Sequence, residues 1–241
     1  MKIALIGYGK MGRIIEQIAV ERGHQIVAIV DIDSQDIFSS MEFASADVAI
    51  EFTAPSQAID NFRKAWSAGV PVVSGTTGWT DQLDSVKEEV TQRDATLFWA
   101  SNFSIGVNLL SQINRRLAEL INSYPNYDVY MTEVHHAEKK DAPSGTAITL
   151  ANDIIERLDN KECWGLEGRD EIAPKTLPIK AIREEQVPGT HIISYESDVD
   201  AISIKHEAKS RAGFALGAVV AAEYAYNKRG FLTMSDLINN K

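Results

Sequence analysis

The chain predicts an α/β fold: a Rossmann-type parallel sheet, an inserted α+β domain and a C-terminal return to the first sheet. Three observations carry this. Residues 1–33 read as a complete β-α-β unit built on a G-x-G-x-x-G turn. Three further apolar runs, each followed by turn residues, with helical patterns between them, extend the pattern to about residue 104. Beyond about residue 122, strand-like segments succeed one another until an alanine-rich helix near 213–228 leads back.

The elements justify this in order. Residues 3–6 form the short apolar run of a buried parallel strand. Gly7, Gly9 and Gly12 follow at once, and Met11, Ile14, Ile15 and Ile18 then recur at helical spacing. A second apolar run, 26–30, ends at Asp31, nineteen residues after the third glycine. Gly7 permits the tight turn, Gly9 lets a pyrophosphate reach the backbone, and Gly12 lets the helix pack on the strand. The diphosphate belongs at the helix N-terminus, and Asp31 is placed to accept hydrogen bonds from a ribose. With strand, helix and acid all in place, dinucleotide binding outweighs a turn that merely needs glycine. No arginine follows Asp31 to pair a 2′-phosphate, which favours NADH over NADPH, with Lys2 and Lys10 as the counter-indication.

Residues 32–46 are short and polar. A strand at 47–52 then leads to a turn at 53–55 and a helix to about 68; a strand at 71–74 leads to the turn Gly75–Gly78 and a helix at 80–93. A fifth strand ends at Ala100–Phe103. In open α/β sheets ligands bind outside the carboxyl ends of the strands. Gly75, Thr76 and Thr77 are therefore candidates for cofactor contact, and Asn102 and Phe103 for bordering a nicotinamide, although an ordinary loop would read the same. A helix at 107–122 precedes strands at 127–134, 177–183, 190–196 and 199–207, interrupted by a helix at 143–158 and a loop at 159–175.

Composition narrows the function. With 44% hydrophobic and 24% charged residues the chain is that of a globular protein able to bury a proper core. Lysine and arginine total 24 against 34 acids, a net charge of −10, which argues against nucleic acid or anionic membranes as partners. The single Cys163 forms no internal disulfide, as in a reducing cytosol, and neither a signal peptide nor a membrane-spanning run is evident, so a cytoplasmic location is expected.

An acidic protein that binds an acidic ligand must concentrate positive charge locally, and Glu133–Ala147, EVHHAEKKDAPSGTA, does so. Two histidines end a β-like run, lysines follow three and four residues after the second, and Pro143 suits the first position of a helix. Ser144, Gly145 and Thr146 would then offer N–H groups without intrahelical partners, an opening that attracts anions. Solvated strand-end histidines are the bland alternative. Adjacent strand residues face opposite ways, so His135 and His136 can share a ligand only if the strand ends between them. A zinc site is disfavoured, because no cysteine lies nearby and helical His spacing is absent.

These motifs resemble the 4-hydroxy-tetrahydrodipicolinate reductase (dihydrodipicolinate reductase) family of the bacterial lysine pathway. The stretch from Glu133 to Ala147 is similar to its signature E-x-H-H-x-x-K-x-D-A-P-S-G-T-A. GTTG at 75–78, NFSIGVN at 102–108 and the H-x-A-x-S-R-x-x-F run from His206 to Phe214 recur in the same order. The resemblance implies that His135 and Lys139 are catalytic proton donors, and that His136, Gly145 and Thr146 hold a dicarboxylate substrate. It further implies that Gly7, Tyr8, Gly9, Lys10, Met11, Gly12, Asp31, Gly75, Thr76, Thr77, Ala100, Ser101, Asn102 and Phe103 bind NADH or NADPH, without a metal. Residues 1–104 with 213–241 would be the dinucleotide domain, and 105–212 the substrate-binding and tetramerisation domain of a homotetramer. The chain departs from the family in its shortened segment after Asp31, a glycine turn one residue tighter, Lys10 where arginine is usual, and Ala100-Ser101 before Asn102. Two rivals stand beside this reading: another NAD-dependent amino-acid dehydrogenase, acting on aspartate or homoserine, and a non-catalytic nucleotide sensor.

Overall fold

A computed structural model describes residues 1–239, which divide into two compact units, one formed by residues 1–105 with the segment from 212 onward and the other by residues 106–211. In the first unit, β1 (Lys2–Ile6) runs into α1 (Lys10–Glu21) and β2 (Gln25–Val30). A 3₁₀ turn at Gln35–Ser39 and the one-turn helix α2 (Met41–Ala44), capped by the Ser40 hydroxyl, occupy the polar segment that follows. Then come β3 (Val48–Glu51), α3 (Pro55–Ser67), β4 (Val72–Ser74), α4 (Leu83–Gln92) and β5 (Thr96–Trp99).

The second unit holds α5 (from Ile105 to Ile121), β6 (Asp128–His135), α6 (Gly145–Ile155), β7 (Cys163–Leu166), β8 (Thr176–Arg183), β9 (Thr190–Glu196) and β10 (Ala201–Glu207). The chain returns to the first unit with α7 (Ala212–Ala225), β11 (Gly230–Leu232) and α8 (Met234–Ile238). Strands β7 and β11 were not expected: each is only three or four residues long and carries no alternation to read.

The first sheet has the order β11-β5-β4-β3-β1-β2 and is parallel throughout. Its inner strands β1, β3, β4 and β5 are buried on both faces, which is why they read as unbroken apolar runs. Against one face pack Ala58, Phe62 and Ala65 of α3 with Val86 and Val90 of α4. Against the other pack Ile15 and Ala19 of α1 with the alanines of α7. Close approach explains that composition: a Cβ on Gly217 would come within 1.8 Å of the Phe103 carbonyl oxygen. The strand order reverses beside β1, between β1 and β3, which is the place where such sheets bind ligands.

The second sheet, β10-β9-β6-β8-β7, is mixed: β6, β8 and β7 run parallel, and β9 lies antiparallel to β6 and β10. Helices α5 and α6 cover one face through Leu110, Ala118, Leu150 and Ile154, which meet Val129, Met131, Ile179, Ile193 and Tyr195. Alternation along β6 puts Val129, Met131, Glu133 and His135 on that same buried face. The apolar part of this face makes core, and its polar continuation makes a site.

Candidate active site

Each unit carries one half of the predicted machinery. In the first unit, Gly7 adopts φ +91°, and a Cβ there would lie 2.2 Å from the Phe52 carbonyl oxygen. Gly12 approaches the Gly7 carbonyl as closely, since its Cβ would come within 2.4 Å. Above Gly9, by contrast, nothing lies within 4 Å of a built Cβ. Gly9 is the N-cap of the twelve-residue helix α1 and contributes no side-chain cap, nor does an acid occupy the first turn. An open glycine at an uncapped helix start fits a diphosphate. Two cavities meet there. One of about 600 Å³ is lined by Gly7, Tyr8, Gly9, Asp31 and Phe52, among others. The other, of about 460 Å³, is lined by Gly9 to Gly12, Thr53 and Gly75 to Thr77.

Glu51, at the carboxyl end of β3, holds the turns between these cavities. It is fully buried and accepts from Ser74 Oγ (2.6 Å), Thr76 Oγ1 (2.9 Å) and the Thr53 hydroxyl. Burial pushes its carboxyl above the ordinary range, and the three hydroxyls draw it back. The Thr76 carbonyl receives two indole N–H groups, from Trp79 at 2.8 Å and Trp99 at 2.9 Å. Residues 100–103 line neither cavity, although the Ala100 N–H donates to the Ser74 carbonyl beside Gly75. Ala100 and Phe103 are core residues, Phe103 stacking on Phe98 at 5.8 Å, while the Asn102 side chain accepts from the Ser104 N–H at 2.8 Å. Tyr8 is tied through its hydroxyl to Glu16, with the Arg13 guanidinium 4.5 Å over its ring.

In the second unit β6 ends at His135, so His136 lies just beyond the strand and the strand-alternation objection to the pair falls. His135 is buried, its Nδ1 3.4 Å from Glu133 Oε2. Glu133 is fully buried and accepts hydrogen bonds from the Ser144 N–H (3.0 Å) and Arg183 Nη2 (3.1 Å). Across the β6–β9 ladder Glu133 faces His191, whose Nε2 lies 3.2 Å from Ser144 Oγ and whose ring packs edge-on to His135 at 5.2 Å. Burial opposes the charge on both imidazoles. It holds His191 down to about 4 and lowers His135, where the Glu133 charge works the other way.

Arg183 straps the following loop by donating to the carbonyls of Lys139 (3.4 Å) and Asp141 (2.7 Å). Lys139 Nζ contacts both carboxylate oxygens of Asp141 at 2.8 Å. Helix α6 starts later than expected. Ser144, not Pro143, borders it as N-cap, its hydroxyl accepting from Ala147 N–H at 3.1 Å. The Ser144 N–H is therefore not part of the anion opening; Glu133 has taken it. Gly145 is exposed, with nothing within 4 Å of a Cβ placed on it, so the helix start stays open at Gly145.

Glu133, His135 and His191 place three ligand atoms within 4.8 Å of one another, the spacing of a metal cluster. The donor set fits a cation poorly, because Arg183 and the Ser144 N–H already satisfy the only carboxylate. Glu133 could have been found in the sequence as an acid two residues before His135 on the same strand face. His191 and Arg183 could not, since only the β6–β9 and β6–β8 pairings bring them in.

A parallel nucleotide-type sheet with a glycine turn, joined to an α+β unit carrying a buried histidine–glutamate pair, is the build of a two-unit oxidoreductase. Comparison with known proteins gives the family. Residues 1–103 match the model "Dihydrodipicolinate reductase, N-terminus" and residues 106–238 match "Dihydrodipicolinate reductase, C-terminus". The 4-hydroxy-tetrahydrodipicolinate reductase of Christiangramia forsetii is 46% identical over 240 residues, covering 100% of this chain and 98% of its own. That of Lawsonia intracellularis is 34% identical over 261 residues, covering 99% of each. A dipicolinate-bound dihydrodipicolinate reductase from Paenisporosarcina sp. TG-14 shares the fold, with a TM-score of 0.76 at 24% identity over 97% of both chains. The chain belongs to the dihydrodipicolinate reductase family.

Proposed function

We infer that this protein reduces 4-hydroxy-tetrahydrodipicolinate to tetrahydrodipicolinate with a reduced nicotinamide cofactor, in the diaminopimelate branch of lysine biosynthesis. The observation that carries the reading is His135 paired with the buried Glu133 carboxylate beside the open start of α6. When bound, the nicotinamide supplies a hydride. The protein's own residues must then bind a cyclic diacid, orient it and quench the charge that develops on the ring.

Gly145 and Thr146 hold one substrate carboxylate at the α6 N-terminus, and His136 contacts the ring. His135 delivers a proton. An incoming dianion favours the imidazolium and so offsets the burial that lowers it. Lys139 exchanges Asp141 for the substrate, stabilising developing negative charge or donating a second proton. In the first unit Gly7 to Gly12 cradle the diphosphate, Asp31 accepts from the ribose, which favours NADH, and Gly75 to Thr77 border the nicotinamide side. Ala100 to Asn102 contact it through the backbone after β5, and Phe103 supports them from the core.

Residues 1–104 with 213–241 serve as the dinucleotide domain and 105–212 as the substrate and tetramerisation domain. The uncovered face of the second sheet, with Tyr130, Thr132, Val134 and Ile192 partly exposed, suits a homotetramer contact. No helix among the described residues is long and apolar enough to cross a membrane. We place the enzyme in the cytoplasm on its lone, unpaired Cys163.

The test is a coupled assay with freshly generated lysine-pathway intermediate and each reduced nicotinamide in turn. Turnover is expected with both reduced nicotinamides, NADH ranking first. Oxidation of aspartate or homoserine by NAD⁺ or NADP⁺ instead, or cofactor binding without turnover of any of these, would reject the reading.

A further inference from the structure

We propose that Lys64, on α3, is a specificity-determining residue of the cofactor site: it supplies the cation that lets this chain accept a ribose 2′-phosphate beside Asp31. The inference rests on the dinucleotide reading of the first unit and deepens it.

Asp31 lines the larger cavity and, as a carboxylate, suits ribose hydroxyls and repels a phosphate. The chain after it, Ile32-Asp33-Ser34, offers no compensating cation. Folding brings one from thirty-three positions further on. Lys64 lines the same cavity, and Gln35 connects it to Asp31: its Nε2 donates to the Asp31 carbonyl at 3.0 Å, and its Oε1 accepts from Lys64 Nζ at 3.0 Å. A single amide group thus separates the ammonium from the strand end that carries the ribose acceptor. The 3₁₀ turn opening at Gln35 makes this possible, because it follows β2 so closely.

The ammonium is otherwise held by Asp60 Oδ2 at 2.8 Å, one turn back on α3, and lies 5.3 Å over the Phe38 ring. Three donors on one nitrogen leave capacity for an oxyanion after Gln35 and Asp60 are served. A bound 2′-phosphate would find Lys64 where a neutral ribose has no use for it. Asp31 and Asp60 still disfavour the phosphate, so NADPH is tolerated rather than preferred.

The experiment measures binding by calorimetry without substrate, using NADH, NADPH, 5′-AMP and adenosine 2′,5′-bisphosphate. Lys64→Met keeps the aliphatic stem on Phe38. It should weaken NADPH and the bisphosphate about tenfold or more, the scale of one charge-assisted hydrogen bond, while NADH and 5′-AMP stay within about twofold. Asp60→Asn, which removes the competing carboxylate, should tighten NADPH alone. Equal weakening of all four ligands by Lys64→Met would reduce Lys64 to a structural role, and no change in any would remove it from the site; either overturns the proposal. Wild-type protein that binds NADH but not NADPH also overturns it while leaving the cofactor reading intact. Wild-type protein that binds neither dinucleotide overturns both.

Discussion

Gly75 tests whether the Phe52 ring forms a wall of the cofactor site. An alanine there would place its Cβ 2.2 Å from Phe52 Cε1, 2.3 Å from Cζ and 2.9 Å from Cδ1. To restore an ordinary 3.4 Å contact, that ring edge must retreat by about 1.2 Å. Phe103 packs against the same ring with its centroid 5.9 Å away, itself stacked on Phe98, so movement of the ring toward Phe103 is resisted. The remaining freedom is toward the two cavities, both of which Phe52 lines. Overpacking of this kind costs about 1–3 kcal/mol. For a chain of this size each kcal/mol lowers the thermal midpoint by roughly 2–4 °C. Gly75→Ala should therefore melt about 2–12 °C early by that scale, and it should bind NADH several-fold more weakly in a fluorescence titration. In a Phe52→Leu background the same substitution should cost little, giving a coupling energy close to the single-mutant cost. An unchanged midpoint and affinity in Gly75→Ala, or a penalty that Phe52→Leu does not relieve, would refute the steric argument.

Lys139→Ala should lower kcat by about 10²–10⁴-fold, the usual loss for a proton-transfer group, with NADH affinity near wild type; full turnover would take Lys139 out of the mechanism. Glu133→Gln removes the charge that favours imidazolium at His135, so the pH at which kcat falls on the alkaline side should move down, a shift read directly from the pH–rate profile. His191 sits at about 4 when folded against 6.5 in the open chain, so between those values the unfolded state holds the extra proton. Stability should accordingly fall as pH drops through that window, by about 3 kcal/mol at most for this group. His191→Gln should flatten the slope of denaturant-derived stability against pH, and an equally steep slope would show that the proton is taken up elsewhere.

What could be read in the sequence was whatever the backbone repeats locally. The glycine turn with its following helix, the apolar runs of the parallel strands and the alternation along β6 each follow from a period or a spacing, and each lies where it was expected. Helix α6 begins after Pro143 because the Ser144 hydroxyl caps Ala147, a side-chain choice that the proline masked. The long-range partners were illegible for a different reason. Glu51 looks like the end of an apolar run until Ser74 and Thr76 arrive from another strand, and His191 is an isolated strand histidine until the ladder sets it opposite Glu133. Burial of a charged group is a property of the assembled sheet, and no window of sequence contains it.

The return of the chain after residue 211 has a consequence for how the molecule is made. Ile3, Leu5, Val48, Ile50 and Phe98 find part of their cover in the alanines of α7, which a ribosome produces only after the whole second unit. Until then, the nascent amino-terminal half presents a greasy sheet to the cell, whereas the contiguous middle segment can already collapse on itself. Premature termination anywhere before α7 should thus yield a chaperone client rather than a smaller working module.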